Sequence, residues 1–303
     1  MAADALPPRR RVLVVGDVMT DVICAPDGPI EIGSDRRATI RSRPGGSGAN
    51  QAVWLAAFGV AARLASRIGS ADFDRLTTQF SKLGVEPAFA IDADLPSGTL
   101  VTLVAPDGER SFLTDRGANA SLSAADLRPK LLDDCALLVV SGYSLFEPEA
   151  RSGAKQLVAA ARERNLPVAI DPASVGFLRA LGAETFLAAT SGATTIFANE
   201  AEALALTGAL DVEAALRRLG AHYPRVIVKR GAAGAILGTE RGIELTRPAP
   251  KVAVVDSTGA GDAFAAAFIA AELGAAAIEI ALERAIAAGA DAVTRIGGQP
   301  PPR

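Results

Sequence analysis

Two aspartates enclose a loop of small residues in the stretch "DSTGAGDAFAAAF", residues 256–268. The loop has two glycines and no basic residue, and a small, apolar, helix-like run follows it directly. The backbone N–H groups of Gly259, Ala260 and Gly261 can point into one cavity, because small residues let the chain turn and a ligand come close. A helix starting near Asp262 would add the positive end of its dipole at the same point. The stretch is therefore a candidate anion site.

Asp262 has two interpretations. At the first helical turn it could accept a proton from a hydroxyl that attacks a phosphorus, while the glycine loop stabilises the phosphoryl charge. Alternatively, Ser257 or Asp256 caps the helix and Asp262 only complements its N-terminus. The stretch alone does not separate catalysis from capping.

Composition excludes several classes of function. The 303 residues are 50% hydrophobic and carry a formal charge of −3, so no overall charge draws the chain to nucleic acid or an anionic membrane. The longest apolar run, "AFAAAFIAA", is far shorter than the roughly 18 residues of a membrane helix. His222 is the only histidine, which argues against His-based zinc sites and triads. If the protein is an enzyme, we expect its base to be a carboxylate.

The N-terminus and the cysteines indicate where the protein works. The first eleven residues contain no apolar segment of the kind found in secretory signals. Cys24 and Cys135 are isolated and form no CxxC motif, as is typical of a reducing compartment. We expect a soluble cytoplasmic protein with no nucleic-acid or membrane partner.

Buried-type strands alternate with helical segments along most of the chain. Short apolar runs occur at residues 11–17, 137–142, 167–171, 194–199 and 225–231, and two Ala-rich helices are predicted at 262–273 and 276–294. This order predicts an α/β fold with a sheet covered on both faces. Residues 22–43, and a hairpin over 97–119 that turns at "PDGE", lack helices and predict a small β-sheet that projects as a lid. We expect one domain over residues 1–303, with lid segments at about 22–43 and 97–116.

The common nucleotide-binding fingerprints are missing. "GDVMTD" follows the first strand in place of GxGxxG, and no GK[ST] motif occurs. A phosphate must therefore be held in some other way.

Two signatures together resemble the ribokinase-like (phosphofructokinase B) family of carbohydrate kinases. "DSTGAGD" resembles the C-terminal signature of that family, and "GGSGANQA" at residues 45–52, with Gly59 and Gly69 beyond it, resembles the N-terminal one. The resemblance covers residues 12–298. It implies a three-layer α/β/α sandwich with a β-sheet lid, and an ATP-dependent kinase acting on a primary hydroxyl of a small sugar or sugar acid.

The resemblance also implies roles at the acceptor end of the site. Asp262 becomes the catalytic base, and Gly259, Ala260 and Gly261 form the anion hole. The residues expected to line the sugar are Asp21, Gly45, Gly46 and Asn50. Carboxylates and amides suit this role because they pair with vicinal hydroxyls.

For the nucleotide, the resemblance implies ATP with Mg²⁺. The residues expected near ATP are Asn199, Lys229, Gly231, Gly234 and Thr258, with Ile286 packing on adenine. "NEAE" would hold Mg²⁺ through water from Asn199 and Glu202, and Asn199 could cap its helix at the same time. Some members of the family use K⁺, for which Asp256, the Thr258 carbonyl and residues 296–299 are candidates.

Departures from the ribokinase pattern bear on the substrate. Met19 and Ser47 stand where ribokinases typically have Asn and Lys, which makes ribose a less favoured acceptor. Arg116 lies where fructokinase-like and 2-keto-3-deoxygluconate-kinase-like members carry an arginine that faces the sugar. It could hold a carboxylate, hydrogen-bond a hexose hydroxyl, or pair with Asp115 or Glu109 on the lid surface.

Three further hypotheses stay open. A nucleoside kinase would need aromatic residues around a base, and the lid offers Phe112 and Phe89. A non-catalytic sugar- or nucleotide-binding protein could share the fold. The strand "RATIRSR" has an edge that could pair with a second copy, which predicts a homodimer through the lid, although its three arginines could instead keep that edge solvated.

Overall fold

A computed structural model describes residues 11–104 and 110–301. The helices are α1 (Ser47–Ala57), α2 (Phe73–Lys82), α3 (Pro148–Glu163), α4 (Val175–Leu181), α5 (Ala183–Ala189), α6 (Glu200–Thr207), α7 (Val212–Gly220), α8 (Ala260–Leu273) and α9 (Ile278–Ala292). The strands are β1 (Arg11–Val15), β2 (Met19–Pro26), β3 (Ala38–Gly45), β4 (Ala62–Gly69), β5 (Val85–Asp92), β6 (Gly98–Val104), β7 (Arg110–Asp115), β8 (Cys135–Ser141), β9 (Val168–Asp171), β10 (Thr195–Asn199), β11 (Arg225–Lys229), β12 (Ala235–Thr239) and β13 (Gly242–Arg247).

The large sheet has the order β13-β12-β11-β10-β9-β8-β1-β4-β5 within the described residues. The seven neighbouring strands β11, β10, β9, β8, β1, β4 and β5 pair in parallel, and β12 and β13 add an antiparallel edge. Parallel pairing aligns the carboxyl ends of the central strands along one edge, where ligands bind in sheets of this type.

Helices cover both faces of the large sheet. Val12 and Val14 pack into one hydrophobic cluster with α1, α8 and α9, while Leu13 and Val15 pack into a second cluster with α3 and α7. These four β1 side chains have no exposed surface, which explains why the strand is an unbroken apolar run. The predicted three-layer α/β fold is confirmed.

A separate small sheet has the order β3-β2-β6-β7. Its central pair, β2 and β6, is parallel, although about 80 residues separate the two strands in sequence. Its first two strands, β2 and β3, begin at Met19 and end at Gly45, whereas the first lid segment was predicted at about 22–43. The predicted turn at "PDGE" lies outside the described residues.

Candidate active site

A cavity of about 420 Å³ lies between the carboxyl ends of the large sheet and the small sheet. Asp17, Tyr143, Asp171, Asn199 and Lys229 come from the ends of β1, β8, β9, β10 and β11, or just after them. The small sheet and the loop after it add Met19, Asp21, Leu100, Thr114 and Arg116. One opening therefore joins the strand ends to the small sheet.

Most of the residues predicted from sequence line this cavity. They are Asp21, Gly46, Asn50, Arg116, Asn199, Glu202, Lys229, Gly231, Thr258, Gly259, Gly261 and Asp262. Gly45, Gly234, Asp256 and Ala260 are not among the lining residues. Gly45 lies behind the Asp21 carboxylate, and Ala260 begins α8.

Asp262 is buried in the first turn of α8 and accepts three hydrogen bonds from α1. Ser47 Oγ donates to Oδ1 at 2.8 Å, Gln51 Nε2 donates to Oδ1 at 3.1 Å, and Asn50 Nδ2 donates to Oδ2 at 3.0 Å. Burial, followed by the charge of Asp171, raises the pKa of Asp262 to about 7, although the three donors oppose that rise. A carboxyl with this pKa is suited to proton transfer near neutral pH.

The N-terminus of α1 reaches Asp262 because two glycines meet. A β-carbon on Gly16 would lie 2.7 Å from the Gly48 Cα, so a larger residue would push α1 away from the end of β1. The close contact between Gly16 and Gly48 sets the distance between α1 and the end of β1. It therefore also sets the position of the three side chains of α1 that donate to Asp262.

Gly259 precedes α8 in a left-handed conformation, with φ of 74°. This conformation suits glycine and leads the loop directly into the helix N-terminus, where the dipole favours negative charge. The Ala260 N–H donates to the Ser257 carbonyl at 3.3 Å, so the N–H groups of Gly259 and Gly261 are the better candidates for the predicted anion hole. The loop has no basic residue of its own, but Lys229 lies beside it. A β-carbon on Gly261 would be 3.0 Å from Lys229 Nζ.

Lys229 is held by a buried carboxylate that sequence reasoning missed. Its Nζ lies 3.0 Å from Asp171 Oδ2. Burial acts to lower the pKa of Lys229, but the charges of Asp171, Glu202 and Asp262 together outweigh it, so that the pKa is raised. Lys229 is therefore a cation in a site rich in carboxylates.

Asn199 and Glu202 form a capping box at the start of α6. Asn199 Oδ1 accepts from the Glu202 backbone N–H, and Glu202 Oε2 accepts from the Asn199 backbone N–H, both at 2.8 Å. Burial raises the pKa of Glu202, although the Lys229 ammonium opposes this rise. The capping interpretation of Asn199 holds, and the Mg²⁺ role of Asn199 and Glu202 stays a prediction.

A metal would depend on more than protein ligands. Within residues 11–104 and 110–301, no three His, Cys, Asp or Glu side chains are grouped so as to hold a metal ion. The donors present fit Mg²⁺, which keeps several waters and binds phosphate oxygens alongside one or two carboxylates.

Asp21 reaches the cavity from the small sheet. Its carboxylate is buried, and Oδ1 has no hydrogen-bond partner in the described ranges. Burial, and secondarily the charge of Asp256, raises the pKa of Asp21 to about 6. A buried acceptor without a partner is costly, and a sugar hydroxyl would satisfy it.

Asp256 joins the glycine loop to residues 296–299, which we call the C-terminal strap. Asp256 Oδ1 accepts from the Thr258 N–H at 2.9 Å, and Oδ2 accepts from the Gly297 N–H at 3.0 Å. Trp54, on α1, is buried and donates from Nε1 to the Gly298 carbonyl at 2.9 Å. The K⁺ assignment of Asp256 stays a prediction. So does the adenine contact of Ile286, which lies in the core and outside the cavity lining.

Arg116 has a partner that none of the sequence-based alternatives named. Its Nε and Nη2 contact the two Asp17 carboxylate oxygens at 3.2 and 2.9 Å, and Nη2 also donates to the Tyr143 carbonyl at 2.9 Å. The alternative in which Arg116 pairs with Asp115 on the lid surface is wrong, because Asp115 accepts instead from the Gly117 N–H and Arg116 is only 9% exposed. Glu109 lies outside the described residues.

Some cavity residues were not predicted, because no contiguous motif in the sequence marks them. Asp17 and Asp171 each follow or end an apolar strand, so the rule that ligands bind at carboxyl ends of parallel strands could have found them. Tyr143 likewise follows the apolar strand β8, but its residue type does not by itself indicate a ligand. Ser47 was noted only as a departure from ribokinases, and its contact with Asp262 could not be read from spacing.

Comparisons with known proteins give the family of the chain. The structure is similar to ribokinase from Thermotoga maritima, with a TM-score of 0.79 and 28% identity over 95% of this chain and 94% of that one. Fold and site therefore define a ribokinase-like kinase. A model described as "pfkB family carbohydrate kinase" matches residues 9–303. The chain belongs to the pfkB family of carbohydrate kinases, and the predicted class of enzyme, an ATP-dependent sugar kinase, is confirmed.

Three curated relatives are each 32% identical to the chain. The ATP-dependent ribose-1-phosphate kinase of Halopiger xanaduensis aligns over 96% of this chain and 95% of its own length. The aminoimidazole riboside kinase of Salmonella typhimurium aligns over 84% and 78%. The bifunctional protein HldE of Shewanella amazonensis aligns over 84% of this chain, which spans only 54% of the length of that protein.

No helix in the described part of the chain is long and apolar enough to cross a membrane.

Proposed function

We propose that the protein transfers the γ-phosphoryl group of MgATP to a primary hydroxyl of a small sugar or sugar acid: a hexose, a 2-keto-3-deoxygluconate-like acid or a pentose. The observation that carries the proposal is the buried Asp262, with a pKa of about 7, directly beside the glycine loop and within the cavity. A base and an anion site side by side are what this transfer requires.

The cavity offers different chemistry at its two ends. Lys229, Gly231 and Thr258 would face the phosphates, with Gly234 behind them and Glu202 and Asn199 acting through water on Mg²⁺, which neutralises phosphate charge when bound. Asp21, Asn50 and Gly46 would face the sugar. Asp262 lies between the two groups, where it would take the proton as the hydroxyl oxygen attacks phosphorus.

The Arg116–Asp17 pair favours an uncharged acceptor among the three classes. Asp17 and the Tyr143 carbonyl occupy Nε and Nη2, so only Nη1 remains, at 3.6 Å from Glu147 Oε1 and without a hydrogen-bond partner in the described ranges. A substrate carboxylate could not be held through two guanidinium nitrogens unless it displaced Asp17 or the Tyr143 carbonyl. The Nη1 amino group that remains, with its two N–H donors, is suited to sugar hydroxyls.

Arg116→Lys should raise KM for the acceptor roughly tenfold, because lysine cannot make the two parallel hydrogen bonds to Asp17. KM for MgATP should change little, since the pair lies at the other end of the cavity. Steady-state kinetics measure both constants. Arg75→Lys is the matched control, because Arg75 forms a pair with Asp72 that is exposed. Equal effects in the two variants would contradict a role for Arg116 in acceptor binding.

A nucleoside is the second candidate acceptor, favoured by an aromatic cluster. Tyr143 lines the cavity and meets Phe146 and Phe177 edge-on, with ring centroids 5.8 and 5.6 Å away, and those two rings stack at 4.6 Å. The lid residues considered from sequence are wrong for this purpose, since Phe112 is 56% exposed, Phe89 packs on Phe80, and neither lines the cavity. A base could pack against Tyr143.

A coupled ADP-release assay with MgATP tests the proposal. The acceptors are fructose, tagatose, 2-keto-3-deoxygluconate, ribose, ribose 1-phosphate, adenosine, inosine and aminoimidazole riboside. Turnover with fructose or tagatose supports the uncharged-sugar assignment, and turnover with a nucleoside supports the second candidate. Turnover with the acid alone overturns the argument from Arg116. Sugar binding by calorimetry without any turnover would indicate a non-catalytic binding protein.

We propose in addition that the small sheet acts as a lid on a single-domain, cytoplasmic enzyme and pairs with the lid of a second copy. Ile40, Phe112 and Leu113 expose 56–63% of their surface on this sheet, and β3 is at its edge. Exposed apolar side chains and a free strand edge favour association. Light scattering after size exclusion distinguishes a dimer from a monomer.

A further inference from the structure

Three side chains of α1 converge on one carboxylate. Ser47, Asn50 and Gln51 are spaced i, i+3 and i+4, which places them on one face of the helix, and that face contacts Asp262. Asn50 also belongs to the proposed sugar site. Ser47 and Gln51 have no role in the proposed function so far.

Ser47 and Gln51 are linked to each other as well. Gln51 Nε2 lies 3.3 Å from Ser47 Oγ and donates to it, while Ser47 Oγ donates to Asp262 Oδ1 at 2.8 Å. An amide nitrogen can only donate, so its contact turns the Ser47 hydroxyl proton toward the carboxylate. Two donors thus stabilise the charged form of the same carboxylate oxygen.

Gln51 is hard to explain by packing. The residue is 1% exposed, and its Oε1 has no hydrogen-bond partner among the described residues. A buried acceptor without a partner costs stability, and an apolar residue of similar size would avoid that cost. The amide nitrogen, which contacts Asp262, is the only part of the side chain that gives a reason for glutamine here.

We propose that Ser47 and Gln51 are positioning residues that keep the Asp262 carboxylate ionised and oriented, and so set the lowest pH at which the enzyme works. The inference rests on the proposed function, in which Asp262 is the base. The interaction is charge-assisted, which makes it stronger than a bond between neutral groups.

The other charged groups around Asp262 determine in which direction its pKa changes when a donor from α1 is removed. Burial and the charge of Asp171 raise its pKa to about 7, and the donors from α1 lower it. Lys229 is the nearby cation, and Tyr143 is neutral because burial raises its pKa to about 12. Loss of a donor therefore raises the pKa of Asp262 further. Because the base must be ionised, activity is then lost at a higher pH.

The test is the pH profile of kcat/KM for the acceptor found in the panel. Ser47→Ala and Gln51→Met should each move the acidic limb about one pH unit toward alkaline pH, with a loss of roughly tenfold at low pH and little loss at high pH. Ser47→Thr retains a hydroxyl, so its acidic limb should stay close to the pH of the wild-type limb. Ser81→Ala, at an exposed site on α2, is the control.

Thermal unfolding separates positioning from structure. Gln51→Met removes the unpartnered oxygen and should unfold at the same temperature as the wild type or higher, while its acidic limb still moves. A loss of activity equal at every pH, or a limb that stays in place in both variants, overturns the inference. Full activity of Asp262→Asn would instead overturn the proposed function itself.

Discussion

Asp262→Asn should lower kcat by about 10²- to 10⁴-fold, which is the range that general acid–base catalysis contributes, while sugar affinity stays close to that of the wild type. The amide has the same size and cannot take the proton. Its oxygen can still accept from Ser47 and Gln51. Asn50 can flip so that its Oδ1, which has no partner in the described part of the chain, accepts from the new amide. The site should therefore keep its shape.

The same substitution should change stability in a pH-dependent way. The pKa of Asp262 is raised from 3.8 to about 7 in the folded state, so the folded protein binds more protons than the unfolded chain between these values. Stability contributed by this group is therefore lost as pH rises through that window. Asp262→Asn has no such loss, and should unfold at a higher temperature than the wild type at pH 8 but not at pH 4.

ADP release, calorimetric titration with the acceptor, and thermal unfolding at the two pH values measure these effects. Asp211→Asn is the matched control, since Asp211 caps α7 and has no part in the cavity. Turnover within a few-fold of the wild type would show that Asp262 only complements the N-terminus of α8, which is the alternative that the sequence left open for this residue.

Gly259→Ala should lower kcat by about 10²- to 10³-fold, the cost of losing one donor to a developing negative charge. The residue has a φ of 74°, and a β-carbon would overlap the Gly298 backbone in the C-terminal strap. The loop must move, and the N–H groups of Ala260 and Gly261 move with it. The left-handed backbone adds a further cost of about 1–2 kcal/mol to folding.

Gly182→Ala is a control that introduces backbone strain at a positive φ without the steric overlap that Gly259→Ala causes. Gly182 has a φ of 87°, and a β-carbon there would meet nothing within 4 Å. It should lose stability through strain alone and keep full kcat. Steady-state kinetics and unfolding of both variants give the comparison, and an unchanged kcat in Gly259→Ala would exclude the loop from charge stabilisation.

The sequence predicted the parts of the fold whose strands are purely apolar. β4 and β5 were missed because their pattern is interrupted. Arg63 and Arg67 of β4 pair with Glu86 and Asp92 of β5, so charged residues that neutralise each other lie within the sheet. The parallel pairing of β2 with β6 also has no local signal, since it depends on how the two segments meet in space.

The candidate site was predictable where function requires a contiguous motif. The glycine loop and Asp262 lie within seven residues, and Gly45, Gly46 and Asn50 within six. Asp17, Asp171 and Tyr143 are single residues at strand ends, and only the completed sheet brings them together. The Asp17–Arg116 pair joins residues 99 positions apart, so no spacing rule could find it.

The contact between α1 and Asp262 also has a consequence for folding while the chain is being translated. Asn50 and Asp262 are 212 residues apart. At about 5–20 residues per second, a ribosome needs roughly 10–40 s to make the chain between them. During that interval β1, β4 and α1 can already pack, but the polar face of α1 has no carboxylate to bind. Under the proposed function, a nascent chain therefore carries the proposed sugar-binding residues of α1 without the proposed base, and we expect it to consume no ATP before α8 has docked.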